Sequence, residues 1–525
     1  MTTSLAPGRR SGRPTRGGLF TRDAGPHPSL RTIGAAAFLL QLAVLIAWSA
    51  HLWQRYSLTS DFATFSQAWD QIGTGHLNPY ETTFAYFYPH WGYPFWQSHF
   101  ELLMWPLALL RTVGLSAFSL LVVQDLALAG FGFSLFRLGL DHLEEHWTER
   151  RGATVVGTGL LVALLVCPWT YWTASFDFHF QPIAACFTAM AAVDLWKGRR
   201  RGWVWIAVVL LCGDVAASYV IGLGLAALIG GRTRWRMGGA LVAVGVVWIL
   251  VVIALGSGKG SSLAGNYGYL AHVANGTGVA GTLAVAFGVL VHPTDVAHVL
   301  RTRLGEILKF VAAGGGLGLL SAFGLGMGVV VLLPNALNQS GVFIGAAGAF
   351  QDLVAVGFML VGTVTLLTWV RERVRAAIVV GVLAAVAVAS VLAMSVHWTP
   401  KARSAFDTVD PGTAAELAVV QRRIPSDAEV VVSQGVIGRF GARRVVYPFL
   451  DVFADGQSVP VAARDVVFVF APRSGIELAT PAQTQTAASM VADQLRATEI
   501  YRGRDVTAFL WRPGPSTRGI RFSPR

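Results

Sequence analysis

Residues 32–53, TIGAAAFLLQLAVLIAWSAHLW, run directly into residues 54–101, QRYSLTSDFATFSQAWDQIGTGHLNPYETTFAYFYPHWGYPFWQSHFE. The first block is an unbroken apolar run of about 20 residues, the length that crosses about 30 Å of hydrocarbon as a helix. The second holds four carboxylates, three histidines, fourteen aromatics and a single basic residue, Arg55. A membrane helix therefore opens onto a long loop carrying groups suited to chemistry. Similar apolar runs recur to about residue 396, and only 13% of the 525 residues are charged, too few to coat a soluble surface of that size. The composition excludes a soluble multidomain protein and points to an all-α polytopic membrane domain.

The net charge of +12 comes from arginines clustered in short segments between apolar runs, the pattern of cytoplasmic loops rather than of a nucleic-acid surface. No nucleic-acid partner is expected; the partner is the lipid bilayer. Arg9, Arg10, Arg13, Arg16, Arg22 and Arg31 precede the first run, which places the basic tail 1–31 inside and the loop 54–101 outside a plasma membrane. The run is longer than the core of a cleaved signal peptide and reads as an anchor. Cys167, Cys186 and Cys212 all lie in apolar runs, so packing is their expected role.

Alternating runs and basic loops predict about eleven transmembrane helices within 32–397. Two places resist simple counting. The run Trp203–Ile229 has basic residues at both ends and a break at Gly213-Asp214, which predicts two short helices meeting at depth with Asp214 toward the outer side. The path of residues 256–334 is open: Val279–Val291 is short enough to lie in the interface or re-enter, and Leu304–Leu333 reads as a hairpin or as one span. After Pro400 the pattern turns soluble. A helix over Thr413–Arg423, β-branched runs at Glu429–Val432, Arg444–Phe449 and Asp465–Phe470, a helix over Pro481–Ala497 and a hairpin pairing Glu499–Arg502 with Val506–Trp511 predict a small α/β extracytoplasmic domain over 398–525.

Asp61, shortly after the first span, is the leading candidate for a base that takes a proton from an acceptor hydroxyl. The competing role is to cap the helix Phe62–Ile72. Asp70 lies nine residues on and is expected to share its cleft. The aromatics Tyr80, Phe84, Tyr86, Phe87, Tyr88, Trp91, Tyr93, Phe95 and Trp96 suit a sugar-stacking platform or an interfacial belt, with the belt favoured for most. His99 and Glu101 close the loop, and Asp177 with His179 offers a second imidazole and carboxylate on the outer side. A divalent cation held by Asp61 with Asp70, His99 or Glu101 fits this donor set. Asp125, Asp194, Asp214 and Asp352 are acids at membrane depth or its border; Asp194 reads as interfacial, Asp125 and Asp352 as hydrogen-bonded packing positions, and Asp214 as a cavity residue.

These residues resemble a family of multi-spanning membrane proteins known as domain of unknown function 2079, itself similar to the GT-C type of membrane glycosyltransferase. The likeness rests on Asp61, Gln67, Trp69 and Gly73 in SDFATFSQAWDQIGTG, His99 and Pro106 in SHFELLMWPLALL, FDFHFQP around His179, His292-Pro293, Leu333-Pro334-Asn335, and the tail segments VVVSQGVIGRFGARRVVYPF and IYRGRDVTAFLWRP. The chain departs from it at Cys212-Gly213-Asp214, where a Lys-Glu-Asp triplet is usual, and at Phe350-Gln351-Asp352, where His-Tyr is usual. The resemblance implies an inverting transfer of a sugar from a polyprenyl-phosphate carrier to a cell-envelope acceptor in a bacterium. Asp61 would be the base, His99 and His179 its catalytic partners, and Gln67, Trp69, Asp70, Glu101, Asp177, Asp214 and Lys259 would bind substrate. Arg55, Lys259, Arg301 and Arg303 are the outer-side cations that would stabilise the leaving phosphate. A transporter or lipid-carrier flippase, favoured by the broken run, and a non-catalytic envelope scaffold are the alternatives.

Overall fold

The computed structural model describes residues 27, 29–83, 93–255, 266–272, 278–339, 341, 345, 348–373, 377–449, 459–460, 465–472, 479–514 and 519–520. Lys259 and the aromatics Phe84, Tyr86, Phe87, Tyr88 and Trp91 lie outside the described residues.

The first apolar run forms α1 (Ser29–Gln54), and the loop after it begins with α2 (Ser60–Gly73). A two-residue ladder, β1 (Tyr80–Glu81) with β2 (Tyr93–Pro94), leads through α3 (Phe95–Ser98) to α4 (Met104–Thr112). Next come α5 (Phe118–His146), α6 (Arg150–Leu165), α7 (Pro168–Ser175) and α8 (Gln181–Trp196); Pro168, which lacks an N–H, starts α7 where a donor is not needed. The run Trp203–Ile229 divides into α9 (Gly202–Leu211) and α10 (Asp214–Ile229), with Gly213 at φ +110, a conformation side chains resist. α11 (Trp235–Leu255) packs closely on α10, where a Cβ on Gly224 would lie 2.8 Å from the Gly238 carbonyl.

Helix length alone does not confirm eleven spans. Among the described residues, five helical stretches are long and apolar enough to cross a membrane: Ser29–Gln54, Phe118–His146, Arg150–Ser175, Arg232–Leu255 and Ala349–Arg373. A sixth is reached only if the pair α12 (Gly278–Val291) and α13 (Pro293–Thr302), bent by 82° where Pro293 follows His292, is one span. Glycine and proline cut the later apolar runs into shorter helices. α14 (Leu304–Ala313) stops at Gly314, Gly315 and Gly316 take positive φ, and the rest of that run is α15 (Ala322–Met327), a π turn and α16 (Leu333–Leu337). α17 (Ala349–Arg373) is buried over most of its length among α5, α7 and α15. Leu39 and Leu40 of α1, each 67% exposed, lie on the surface that a bilayer covers.

α18 (Ala377–Phe406) leads into the C-terminal unit, formed by α19 (Pro411–Arg423), α20 (Pro481–Gln494) and a five-stranded sheet. Strands β3 (Glu429–Val432), β4 (Val446–Pro448) and β6 (Val466–Phe470) run parallel, and the hairpin β7 (Thr498–Arg502) with β8 (Thr507–Trp511) adds antiparallel to β6, giving the order β4-β3-β6-β8-β7. A separate ladder pairs β5 (Val459–Pro460) with β9 (Gly519–Ile520). The β3 and β6 side chains are buried on both faces, as expected for the centre of a parallel sheet. Asp410 caps α19 and stays below the usual carboxylate range because Thr413 donates to it.

This unit sits on the loop that follows α1. Gly438 N–H donates to the Leu58 carbonyl at 2.9 Å, Thr82 bridges to Val446, and Gln67 reaches the Arg444 carbonyl at 3.0 Å. Tyr56 and Ala63 belong to the apolar core of the C-terminal unit itself. The loop and the C-terminal unit therefore share one end of the bundle. Arg31, Lys197, Arg201 and Arg371, held by Asp141, Glu144, Asp194 and Glu149, gather at the other.

Candidate functional site

The site is built on the first turn of α2. Thr59 is its N-cap, in extended backbone, but its side chain does not bond to the helix. The orphan donors are taken by Asp177, from the turn between α7 and α8: Asp177 accepts from Thr59 N–H at 2.9 Å, from Phe62 N–H at 3.2 Å and from the Thr59 hydroxyl. Asp177 adopts φ +43, a left-handed conformation that Asp tolerates better than most residues. Gln124 of α5 fixes this turn, accepting from His179 N–H and donating to the Asp177 carbonyl, both at 2.8 Å. Burial, reinforced by the neighbouring Asp61 charge, raises the Asp177 carboxyl to about 6 against the pull of its Thr59 donors.

Because Asp177 does the capping, Asp61 is left over. Its carboxylate is 31% exposed and sits 3.4 Å from His179 Nε2. The His179 ring stacks on Phe350 at 3.7 Å, and its Nδ1 is buried with no hydrogen-bond partner among the described residues, so Nε2 is the nitrogen that serves Asp61.

Phe65, one turn along α2, meets both imidazoles edge-on, at 5.1 Å from His99 and 5.9 Å from His179. His99 also lies 3.9 Å from Glu81 and 3.7 Å from Glu101. Glu81, which sequence reasoning passed over, accepts from the Ser98 hydroxyl at 2.6 Å; its full burial, with Asp61 and Glu101 adding to it, raises its carboxyl above the ordinary range. The sequence signal was present in a loop glutamate before a Thr-Thr pair, but only the β1–β2 ladder turns it inward. Glu101 backs onto the α9–α10 break: a Cβ on Gly213 would lie 3.2 Å from Glu101 Oε1, and Leu103 N–H donates to the Leu211 carbonyl. Asp214, half-buried in the first turn of α10, thus starts beside Glu101.

Other residues singled out in the sequence serve different ends. Asp70 does not share the Asp61 cleft: nine residues are two and a half turns, the odd half turn puts it on the opposite face, and it pairs with Arg111 at 2.8 Å. Gln67 ties α2 to Thr82 and to the C-terminal unit, and Trp69 is buried with its indole on the Leu107 carbonyl. Arg55 is drawn to Asp407, and Arg303 to the carbonyls of Ala336, Asn338 and Gln339. Asp194 accepts from Arg199, Arg201 and Trp205, and Asp352 from Asn335. The divalent-ion arrangement expected around Asp61 loses Asp70, and among the described residues no three donors there come within 4.8 Å of one another. No Lys or Arg among the described residues pairs with Asp61, Glu81 or Glu101.

No curated protein matches the sequence. Two solved structures of ArnT from Cupriavidus metallidurans, one bound to undecaprenyl phosphate and one in the apo state, are 14% identical to the chain, with TM-scores of 0.39 and 0.37; each alignment covers 91% of this chain and 98% of the other. The sequence model of the family described as predicted membrane protein (DUF2079) matches residues 51–495, which include α2, the His99 and His179 turns, the α9–α10 break and most of the C-terminal unit, and the chain belongs to that family.

Proposed function

We propose that the protein is a membrane transferase that moves a sugar from a polyprenyl-phosphate carrier to a cell-envelope acceptor, with inversion, at the bundle end that carries the C-terminal unit. The observation that carries this reading is the half-exposed Asp61 carboxylate facing His179 Nε2 at 3.4 Å on the first turn of α2, relieved of capping by Asp177. An acceptor hydroxyl attacks the anomeric carbon, Asp61 takes its proton, and the bond to the phosphate oxygen breaks, releasing the polyprenyl phosphate. His179 steadies the Asp61 carboxylate, and His99, between Glu81 and Glu101, forms the second wall.

The developing phosphate charge calls for a cation. Arg55 and Arg303 are committed elsewhere, so this reading keeps Arg301 and Lys259, the latter outside the described residues, as the cations for that charge. The arginine-rich opposite end then faces the cytoplasm of the plasma membrane, and the C-terminal unit lies outside.

A transporter would need a polar path from Asp214 to that opposite end. Of the side chains that α10 buries along this course, Ala216, Val220, Leu223 and Ala227 are apolar and Tyr219 donates its hydroxyl to the Gln351 carbonyl at 3.1 Å, which favours transfer over transport. The test compares lipid-linked sugars and envelope glycans in cells carrying wild type, Asp61→Asn or a deletion. The reading expects Asp61→Asn to match the deletion, with unused donor accumulating; identical profiles in all three would remove it.

A further inference from the structure

Away from Asp61, at the elbow between α12 and α13, three donors converge that the transfer reading does not use. His272 Nε2 lies 2.9 Å from Asp295 Oδ2, the His272 and His292 rings are 4.3 Å apart, and one donor atom from each of the three lies within 4.8 Å of the others. Among the described residues this is the one group of three metal-type donors so close together. Two further observations set it apart from a chance surface contact. His272 holds φ +53, a conformation costly for a residue with a Cβ, and it directs the imidazole to the other two. His292 is the N-cap of α13 yet makes no side-chain cap bond, while Asp295 in the first turn is engaged by His272 rather than by the helix backbone. These side chains are therefore spent on one another.

We infer that His272, His292 and Asp295 form a zinc-class divalent cation site that clamps the segment before α12 to the α12–α13 elbow. Two imidazole nitrogens and one carboxylate oxygen are the donor set of borderline metals, and the His272–Asp295 pair, hydrogen-bonded at 2.9 Å, has to open by only about 0.5 Å to hold tetrahedral ligands about 2.1 Å from a shared ion. A fourth position stays open to water. The fastening has a mechanical purpose. The 82° bend lets α13 leave the apolar direction of α12, and a Cβ on Gly288 would lie 2.6 Å from Ala271, so the two segments already touch one turn away. A cation would lock that contact without any disulfide, consistent with three cysteines that are all free and buried.

The test uses the purified full chain in detergent, stripped with chelator and titrated with Zn2+, then with Co2+ as a spectroscopic probe. The expectation is one equivalent of zinc per chain, imidazole-type cobalt absorption, slower hydrogen exchange across residues 278–302 and a melting temperature that rises on adding metal. Loss of an outer-shell partner alone costs about 10–100-fold in metal affinity, so His272→Ala, His292→Ala and Asp295→Ala should each weaken zinc at least that much. Asp295→Asn keeps the size of the side chain and guards against a folding defect: chelated, it should melt with chelated wild type, and it should lose the zinc-induced rise. A wild type that takes up no stoichiometric zinc, or a His272→Ala/Asp295→Asn protein that retains it, overturns the proposal.

Discussion

The two ends of the helix bundle carry similar numbers of acids and use them in opposite ways. At the arginine-rich end three acids answer lysine or arginine: Asp141 takes Arg31 and Lys197, Asp194 takes Arg199 and Arg201, Glu149 takes Arg371. Paired charges of this kind cost little to keep and hold helices in register at the membrane border. At the Asp61 end the acids Asp61, Glu81 and Glu101 meet imidazoles instead of guanidinium or ammonium groups. Imidazole is the side chain that takes up and releases protons near neutral pH, which is the condition for acid–base work. Compensated acids anchor this molecule, and acids left to histidine are available for chemistry.

That contrast can be broken first at Asp61. Asp61→Asn removes the proposed base and leaves the Asp177 cap intact, so the proposed transfer should fall by about 10²–10⁴-fold, with the melting temperature nearly unchanged; glycan analysis beside a thermal melt reads both. A comparable loss of stability would show that Asp61 belongs with the anchors. The mirror experiment is Asp194→Ala, which strips partners from Arg199, Arg201 and Trp205 and should lower the melting temperature, with unchanged product per folded molecule. Gly213→Ala tests the seam behind Glu101. Its φ of +110 and the crowding against the Glu101 carboxylate predict a loss of about 1–2 kcal/mol together with reduced transfer.

The smallest effect is a pH slope at Asp177. Its carboxyl keeps a proton up to about 6 in the folded protein and releases it near the ordinary carboxylate value when unfolded, so between those values the native state binds more protons. Its contribution to stability is complete at acidic pH and disappears as pH rises through about 6. Denaturation between pH 4 and 7 should show stability falling with pH from this group, and Asp177→Asn should flatten that component.

Much of the C-terminal unit was legible in advance. The β-branched run Glu429–Val432 is the observed strand β3, and the hairpin around Gly503-Arg504-Asp505 forms, with Gly503 N–H donating to the Val506 carbonyl. Short-range alternation and turn residues encode such elements directly. The break at Gly213 was equally readable, because a glycine beside an acid inside an apolar run has few other uses. The span count was not legible from apolar length, because glycine and proline cut the later runs, as at Gly314–Gly316 and Pro293. Asp70 failed for a simpler reason: proximity in sequence was allowed to outweigh helical phase.

The amino-acid sequence by itself determined the class of solvent, the opening helix and its loaded loop, the basic end and the α/β tail, since each depends on composition or on periodicity over a few residues. Only the tertiary structure decided which carboxylate caps α2 and which one is free to act. The deciding bonds join Thr59 and Phe62 to Asp177, and His179 to Asp61, across more than a hundred residues of chain. Hydrogen bonds between distant segments depend on how α5, α7 and α8 pack, and local patterning carries no record of that packing.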